Sequence, residues 1–144
     1  MKIFFDANIC LDLLDSRRPT SKDSIEWYMN NKDNDSVEFY FSSDFITTFY
    51  YILTEKRRYN PVDVINTIDA LSLEIAPFYL SHSDFVSAKE SFLSGVFDDF
   101  EDLIILESAL RLDCDVFITN DKALLDLKEF KGVDIVSPKI NKKE

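Results

Sequence analysis

Glycine is nearly missing from this chain: only Gly95 and Gly132 occur among 144 residues. No glycine-rich loop is available to wrap a phosphate in backbone amides, and no G-x-S-x-G nucleophile turn is present. Histidine is scarcer still. His82 is the single one; it falls at an expected helix start and reads as a surface or capping residue. No Ser-His-Asp arrangement is found, and zinc chemistry is disfavoured. Cys10 and Cys114 stand apart among apolar neighbours rather than in a C-x-x-C pair, so reduced core thiols are expected. No apolar run is long enough to span a bilayer, and the first residues carry no signal-peptide pattern, which gives the expectation of a cytoplasmic protein with no membrane role. Positive charge is short as well: 16 Lys and Arg face 27 Asp and Glu, for a net charge of −11 and a pI near 4.5. That excludes a non-specific phosphate-binding surface. It leaves room for a carboxylate pocket whose bound divalent cations reverse the local field, and for a basic partner. Most of the acids read as a solvated surface.

What is abundant is aromatic and aliphatic bulk: 46% of the chain is hydrophobic, with 13 Phe and 6 Tyr. This length and composition predict one globular domain with one dense core. Two short apolar runs stand out because each ends in a carboxylate: Ile3-Phe4-Phe5-Asp6-Ala7-Asn8 and Val116-Phe117-Ile118-Thr119-Asn120-Asp121. Runs of β-branched and aromatic residues without a polar break read as strands buried on both faces. A carboxylate at the carboxyl end of such a strand lies on the ligand-binding edge of an α/β sheet.

Between these runs, strands alternate with helices. A strand over 2–6 leads to a short apolar helix over 7–14, broken by Arg17-Arg18-Pro19. Thr20, with Asp23 as capping partner, predicts a helix to about Asn31. A strand over 37–42 precedes an aromatic helix opened by Ser43 or Asp44 and running through Glu55. Lys56-Arg57-Arg58 suits that helix's negative carboxyl end. Asn60-Pro61 predicts the next helix, to about Leu73, and Glu74 to Ala76 a short strand ending before Pro77. Helices over 81–94 and 99–112 flank the stop at Gly95. The Val116 strand, a helix over 121–127 and a last strand over 133–136 complete the pattern. The alternation predicts a three-layer α/β/α fold with a central, mostly parallel sheet. Residues 1–138 are expected to form a single domain, followed by a loose Lys-rich tail over 139–144.

A third acidic feature is Asp98-Asp99-Phe100-Glu101-Asp102, which opens an almost wholly apolar helix. Asp99 and Asp102 are three apart and share a helix face. Asp98 and Glu101 suit N-capping and the helix dipole, whereas Asp102 leads straight into the buried face. Asp6, Asp102 and Asp121 thus become three carboxylates expected to converge. Like charges packed together need a proton or a cation. Oxygen ligands without nearby His or Cys favour Mg²⁺ or Mn²⁺, and metal-assisted phosphate chemistry is the class these residues point to.

These three motifs, in this order and spacing, resemble a PIN-domain ribonuclease over nearly the whole chain. The resemblance implies a Mg²⁺- or Mn²⁺-dependent endoribonuclease acting on RNA by water attack on a phosphodiester. It also implies a toxin of a bacterial toxin–antitoxin pair, an antitoxin partner and a homodimer. Carried onto this sequence, Asp6, Asp102 and Asp121 match the family's metal-site acids, and Asp99 an additional acid seen in part of it. Asn8 matches a small polar position supporting the first Asp, and Thr119 and Asn120 match the polar residues before the last. One departure stands out. The acid expected in the helix after the second strand falls on Thr48, with Asp44 four residues earlier on the same face as partial compensation, although capping its own helix is the role expected of it.

Thr48 keeps a second hypothesis open: a catalytically weakened PIN-like protein that uses its acidic groove to bind a protein or RNA. A phosphohydrolase or phospho-receiver stands third, because neither a second Asp two residues after Asp6 nor the receiver's acid and lysine set is found. Arg17, Arg18 and Lys56-Arg57-Arg58 are candidates for lining an RNA groove, against a reading as helix-end and solvated charges. Phe45, Phe49, Ile52 and Leu53 fall at core spacing. Tyr50 and Tyr51 cannot both face the core, and Trp27 and Tyr28 are expected in the core or at a dimer contact.

Overall fold

The computed structural model describes residues 1–139. A six-stranded sheet runs in the order β3-β2-β1-β4-β6-β5. The strands are β1 (Lys2–Phe5), β2 (Glu38–Ser42), β3 (Ala76–Phe78), β4 (Val116–Ile118), β5 (Glu129–Phe130) and β6 (Val133–Val136). Every pairing is parallel except the β5–β6 hairpin. The helices are α1 (Ala7–Leu14), α2 (Ser21–Asn31), α3 (Phe45–Tyr51), α4 (Pro61–Glu74), α5 (His82–Leu93), α6 (Phe100–Arg111) and α7 (Lys122–Leu127).

Strand alternation divides the core. Ile3 and Phe5 of β1 join Phe39, Phe41 and Ile118 in a cluster covered by α1, α3 and α4, with Trp27 and Tyr28 of α2 packed against it. Phe4 and Phe117 point the other way, into a cluster covered by α5, α6 and α7. The continuous apolar run of β1 is thus explained by burial on both faces, in the three layers the alternation predicts. Cys10 and Cys114 are buried free thiols, one in each cluster.

Four local features depart from the sequence reading. The third strand sits over Ala76–Phe78 and includes Pro77, which is tolerated because β3 is an edge strand with no ladder bond required on its outer side. The aromatic helix does not run regularly to Glu55; after Tyr51 it widens into a π-helical turn, Ile52–Lys56. Thr20 does not cap α2 through its side chain, because its hydroxyl is turned back to Asp12. β5 was not foreseen: two residues give no periodicity to read. The turn joining it to β6 has positive φ at Lys131 and Gly132. Of the expected tail, residues 140–144 lie outside the described residues.

Candidate active site

β1 pairs with β2 on one side and β4 on the other, and the chain leaves their carboxyl ends toward opposite layers. This is the switch point at which open α/β sheets form their binding crevice. Three helices begin there, each with an aspartate at its N-cap. Asp6 caps α1, its Oδ1 accepting from the Ala7 amide at 2.8 Å. Asp99 caps α6, accepting from the Asp102 amide at 3.1 Å. Asp121 caps α7, accepting from the Ala123 amide at 2.9 Å. Capping explains the local conformation of all three. It does not use up their oxygens, since an ionised carboxylate has about four acceptor positions.

Thr119 ties two of these caps together. Its buried hydroxyl donates to Asp6 Oδ2 at 2.8 Å and accepts from the Asp121 amide at 3.0 Å. Asn8 Nδ2 reaches Asp6 Oδ2 at 3.3 Å and Thr119 Oγ1 at 3.2 Å, while Asn8 Oδ1 accepts from the Asn120 amide at 3.0 Å. The polar residues around the first and last acids therefore form one network that fixes the Asp6 carboxylate.

A groove of about 400 Å³ opens beside this network, lined by Asp6, Asp44, Thr48, Leu80, Glu101 and Asp102, among others. Asp102 feels its neighbours strongly: burial first, then the charges of Asp6, Asp99, Asp121 and Glu101, push its carboxyl up to about 7. Asp6 is also raised, chiefly by burial and further by Asp121, against the opposing hydrogen bonds from Thr119, Ala7 and Asn8. The structure thus brings Asp6 and Asp102 into one groove. It holds Asp99 and Asp121 outside that lining, yet near enough for their charges to bear on Asp102.

Thr48 lines the groove and is exposed, so a hydroxyl rather than a carboxylate faces the groove at that position. Asp44 lines the same groove, and it makes no side-chain capping bond to α3, contrary to the capping role expected of it. Glu101, assigned from sequence to the helix dipole, also faces the groove; its adjacency to Asp102 in the first turn of α6 was the available signal. Three of the candidate arginines are engaged within the protein. Arg18 Nε donates to Asp12 at 2.7 Å and Arg57 Nε to Asp15 at 2.7 Å, both carboxylates being fully buried. Arg17 bonds the Tyr59 hydroxyl and lies over its ring. Asp12 and Asp15 were both missed; their signal was two acids at the end of an otherwise apolar helix.

The donor set suits a hard divalent cation. Among the described residues no three acidic, His or Cys side chains close around a ready-made metal cage. Mg²⁺ commonly takes one or two carboxylates and retains its waters, a demand that Asp6 and Asp102 on one open groove can meet. Burial first, and then the neighbouring charges, raise the Asp102 carboxyl, and a bound cation would offset both.

The PIN domain matches residues 2–123. This chain belongs to the PIN-domain family. Ribonuclease VapC1 of Aquifex aeolicus (strain VF5) is 30% identical over 124 residues, which cover 85% of this chain and 83% of that protein. Among solved structures, VapBC-1 from nontypeable Haemophilus influenzae aligns at a TM-score of 0.68 and 18% identity over 96% of this chain and 98% of that one. VapBC2 from Rickettsia felis, bound to a DNA fragment from its promoter, aligns at 0.66 and 13% over 95% and 98%. VapC20 of Mycobacterium tuberculosis, a toxin cleaving the sarcin–ricin loop, aligns at 0.64 and 14% over 83% and 90%. At these identities the structural likenesses establish the PIN-like fold. The acids Asp6, Asp99 and Asp102 fall inside the family match, as does Asp121 near its end.

Proposed function

We propose that this PIN-domain protein is a metal-dependent endoribonuclease that hydrolyses RNA phosphodiesters, and that it is the toxin of a toxin–antitoxin pair. The observation that carries this reading is the convergence of Asp6 and Asp102 on one groove at the switch point, with Asp121 fixed to Asp6 through the Thr119 hydroxyl. Asp6 and Asp102 would hold the divalent ion, Mg²⁺ or Mn²⁺, and Asp121, outside the groove lining, would join them as the third acid of the site. Asp99 sets the first turn of α6 that presents Asp102. Asn8, Thr119 and Asn120 orient the acids, and Asp44 and Thr48 form the opposite wall. When bound, the ion lowers the pKa of water and neutralises charge growing on the phosphoryl oxygens. The named relatives support an RNA substrate. The two VapBC neighbours support an antitoxin partner, and the net charge of −11 suits a basic segment of it. Exposed Tyr50, Tyr51, Phe85 and Phe92 are compatible with a homodimer. Among the described residues no helix is long and apolar enough to cross a membrane. The reading takes residues 1–138 as one domain acting in the cytoplasm.

The test is cleavage of a mixed single-stranded RNA pool with Mn²⁺ or Mg²⁺, against chelator and against a folded Asp6→Asn protein. Cleavage that needs metal and is lost in the variant supports the nuclease. Thr48 in the groove wall favours a second reading, a PIN-like binding protein with a weakened site. RNA binding without cleavage, in the presence of metal, supports that one.

A further inference from the structure

A single buried side chain ties the helix after the first site acid to the loop that presents the last one. Asp12 lies near the end of α1 with its carboxylate shielded from solvent. Its Oδ1 accepts from Arg18 Nε at 2.7 Å and Thr20 Oγ1 at 2.7 Å. Its Oδ2 accepts from the Ser24 hydroxyl and from Asn120 Nδ2, the latter at 3.0 Å. Three of these donors belong to the α1–α2 connector and the start of α2. The fourth comes from the loop after β4, 108 residues away in sequence.

Besides the Thr119 amide, which donates to the Val136 carbonyl of β6 at 3.0 Å, that loop has further links toward α1: the Asn120 amide on Asn8, the Thr119 hydroxyl on Asp6, and Asn8 Nδ2 on the same hydroxyl. These links and the Asp12–Asn120 bond all lie on α1 or its cap, whereas the β6 bond holds only the start of the loop. Residues 119–121 are therefore clamped to one helix at its beginning, its first turn and its end. Stability alone does not call for a carboxylate at position 12, since buried ion pairs replaced by well-packed apolar groups often leave a protein as stable or more so. A carboxylate does supply enough acceptor positions to hold two helix segments and a distant loop at one point.

We propose that Asp12 is a positioning residue for the carboxylate site, acting through the Asn120 side chain to hold the loop that carries Asp121. The metal-holding role of that site rests on the function proposed above, but the clamp belongs to the metal-free protein and is testable there. In Asp12→Asn the guanidinium of Arg18 claims the one remaining acceptor oxygen. The new amide nitrogen then faces Asn120 Nδ2, donor against donor, and the link survives only by turning the Asn120 amide over, an escape that Asn120→Ala removes. Asn120→Ala cuts the same link from the other side while leaving the backbone anchor to Asn8. Ser24→Ala is the control, because it removes a donor from Asp12 without touching Asn120.

The experiment measures amide hydrogen exchange at Asn120 and Asp121 in the metal-free full chain, Mn²⁺ affinity by titration calorimetry, and Tm. In Asp12→Asn and Asn120→Ala, exchange at both amides is expected to quicken about tenfold and Mn²⁺ affinity to fall about tenfold, the scale seen when groups supporting metal ligands are removed. The double variant is expected to go no further than either single one. Ser24→Ala is expected to lower Tm and leave both other readouts alone. The proposal is overturned if Asp12→Asn lowers Tm while exchange and Mn²⁺ affinity stay at wild-type values, or if the two substitutions add. A wild-type protein that binds no Mn²⁺ removes the metal reading, and the exchange data then decide the clamp by themselves.

Discussion

The Thr119 hydroxyl serves two site acids at once, giving its proton to Asp6 and taking the Asp121 amide. Thr119→Val keeps the shape and deletes both bonds. It is expected to cost about 1–3 kcal/mol in urea denaturation, the range for leaving buried polar groups unpaired. Metal-dependent RNA cleavage should fall about 10–100-fold through misplacement of Asp6. Thr48→Glu works in the other direction. It adds the missing acid to a wall already carrying Asp44, so Mn²⁺ should bind more tightly by calorimetry, while the Tm in chelator should drop as one more like charge enters the groove. The positions of Asp6 and Asp121 at the sheet's carboxyl edge were legible because Asp6 directly follows an apolar strand and Asp121 comes three residues after another, and that of Asp102 because it leads into an apolar helix. Asp12 and Asp15 had a signal in two acids closing an apolar helix, but their arginine partners were not legible, because these are set by how the connector folds back. Nothing in the Arg17-Arg18 pair itself distinguishes a buried ion-pair partner from a phosphate ligand.

At the scale of elements, the π-helical turn Ile52–Lys56 ends where Arg57 reaches across to α1. Burial alone would push the Asp15 carboxyl up. The Tyr59 hydroxyl, the Arg17 amide and the Arg57 guanidinium outweigh it and hold the group below its ordinary value. Arg57→Met leaves this buried carboxylate with its Tyr59 and Arg17 amide bonds and, as opposing charge, only the largely exposed Arg17 guanidinium at 4.0 Å. It is expected to destabilise the fold near neutral pH, by less than the loss of a fully buried partner would, because the Arg57 side chain is itself 37% exposed. A depressed carboxyl contributes stability above its unfolded pKa and loses it as pH falls through the folded value. The gap between wild type and Arg57→Met should therefore close in acid, read by urea melts at about pH 7 and about pH 3. The main strands and helices were visible in the periodicity to within a few residues. The π turn and the two-residue β5 were not, because both are set by tertiary contacts rather than by any repeat in the sequence.

Across the whole molecule, acidity and fold meet at the switch point. The sheet order sends three capped helices to one edge, and a chain of net charge −11 offers little basic charge to offset the repulsion there. In the metal-free protein, Asp102 holds its proton up to about 7, from burial and then from the charges of Asp6, Asp99, Asp121 and Glu101; Asp6 is raised in the same sense, chiefly by burial. Between their unfolded and folded pKa values the native state binds more protons than the unfolded chain, so stability must rise as pH falls. In chelator the Tm should therefore climb by roughly 3–6 °C from about pH 8 to about pH 5.5, and Asp102→Asn should flatten most of that slope. Below the ordinary carboxylate range the depressed Asp15 reverses the trend. Added Mn²⁺ relieves the same repulsion by a different charge. Its stabilisation should be largest near pH 8 and fade toward pH 5.5, because protons and metal compete for the same oxygens. Scanning calorimetry with and without Mn²⁺ across that range separates this from simple screening: monovalent salt would raise the Tm without depending on Asp102, whereas competition at the site disappears when Asp102 is replaced.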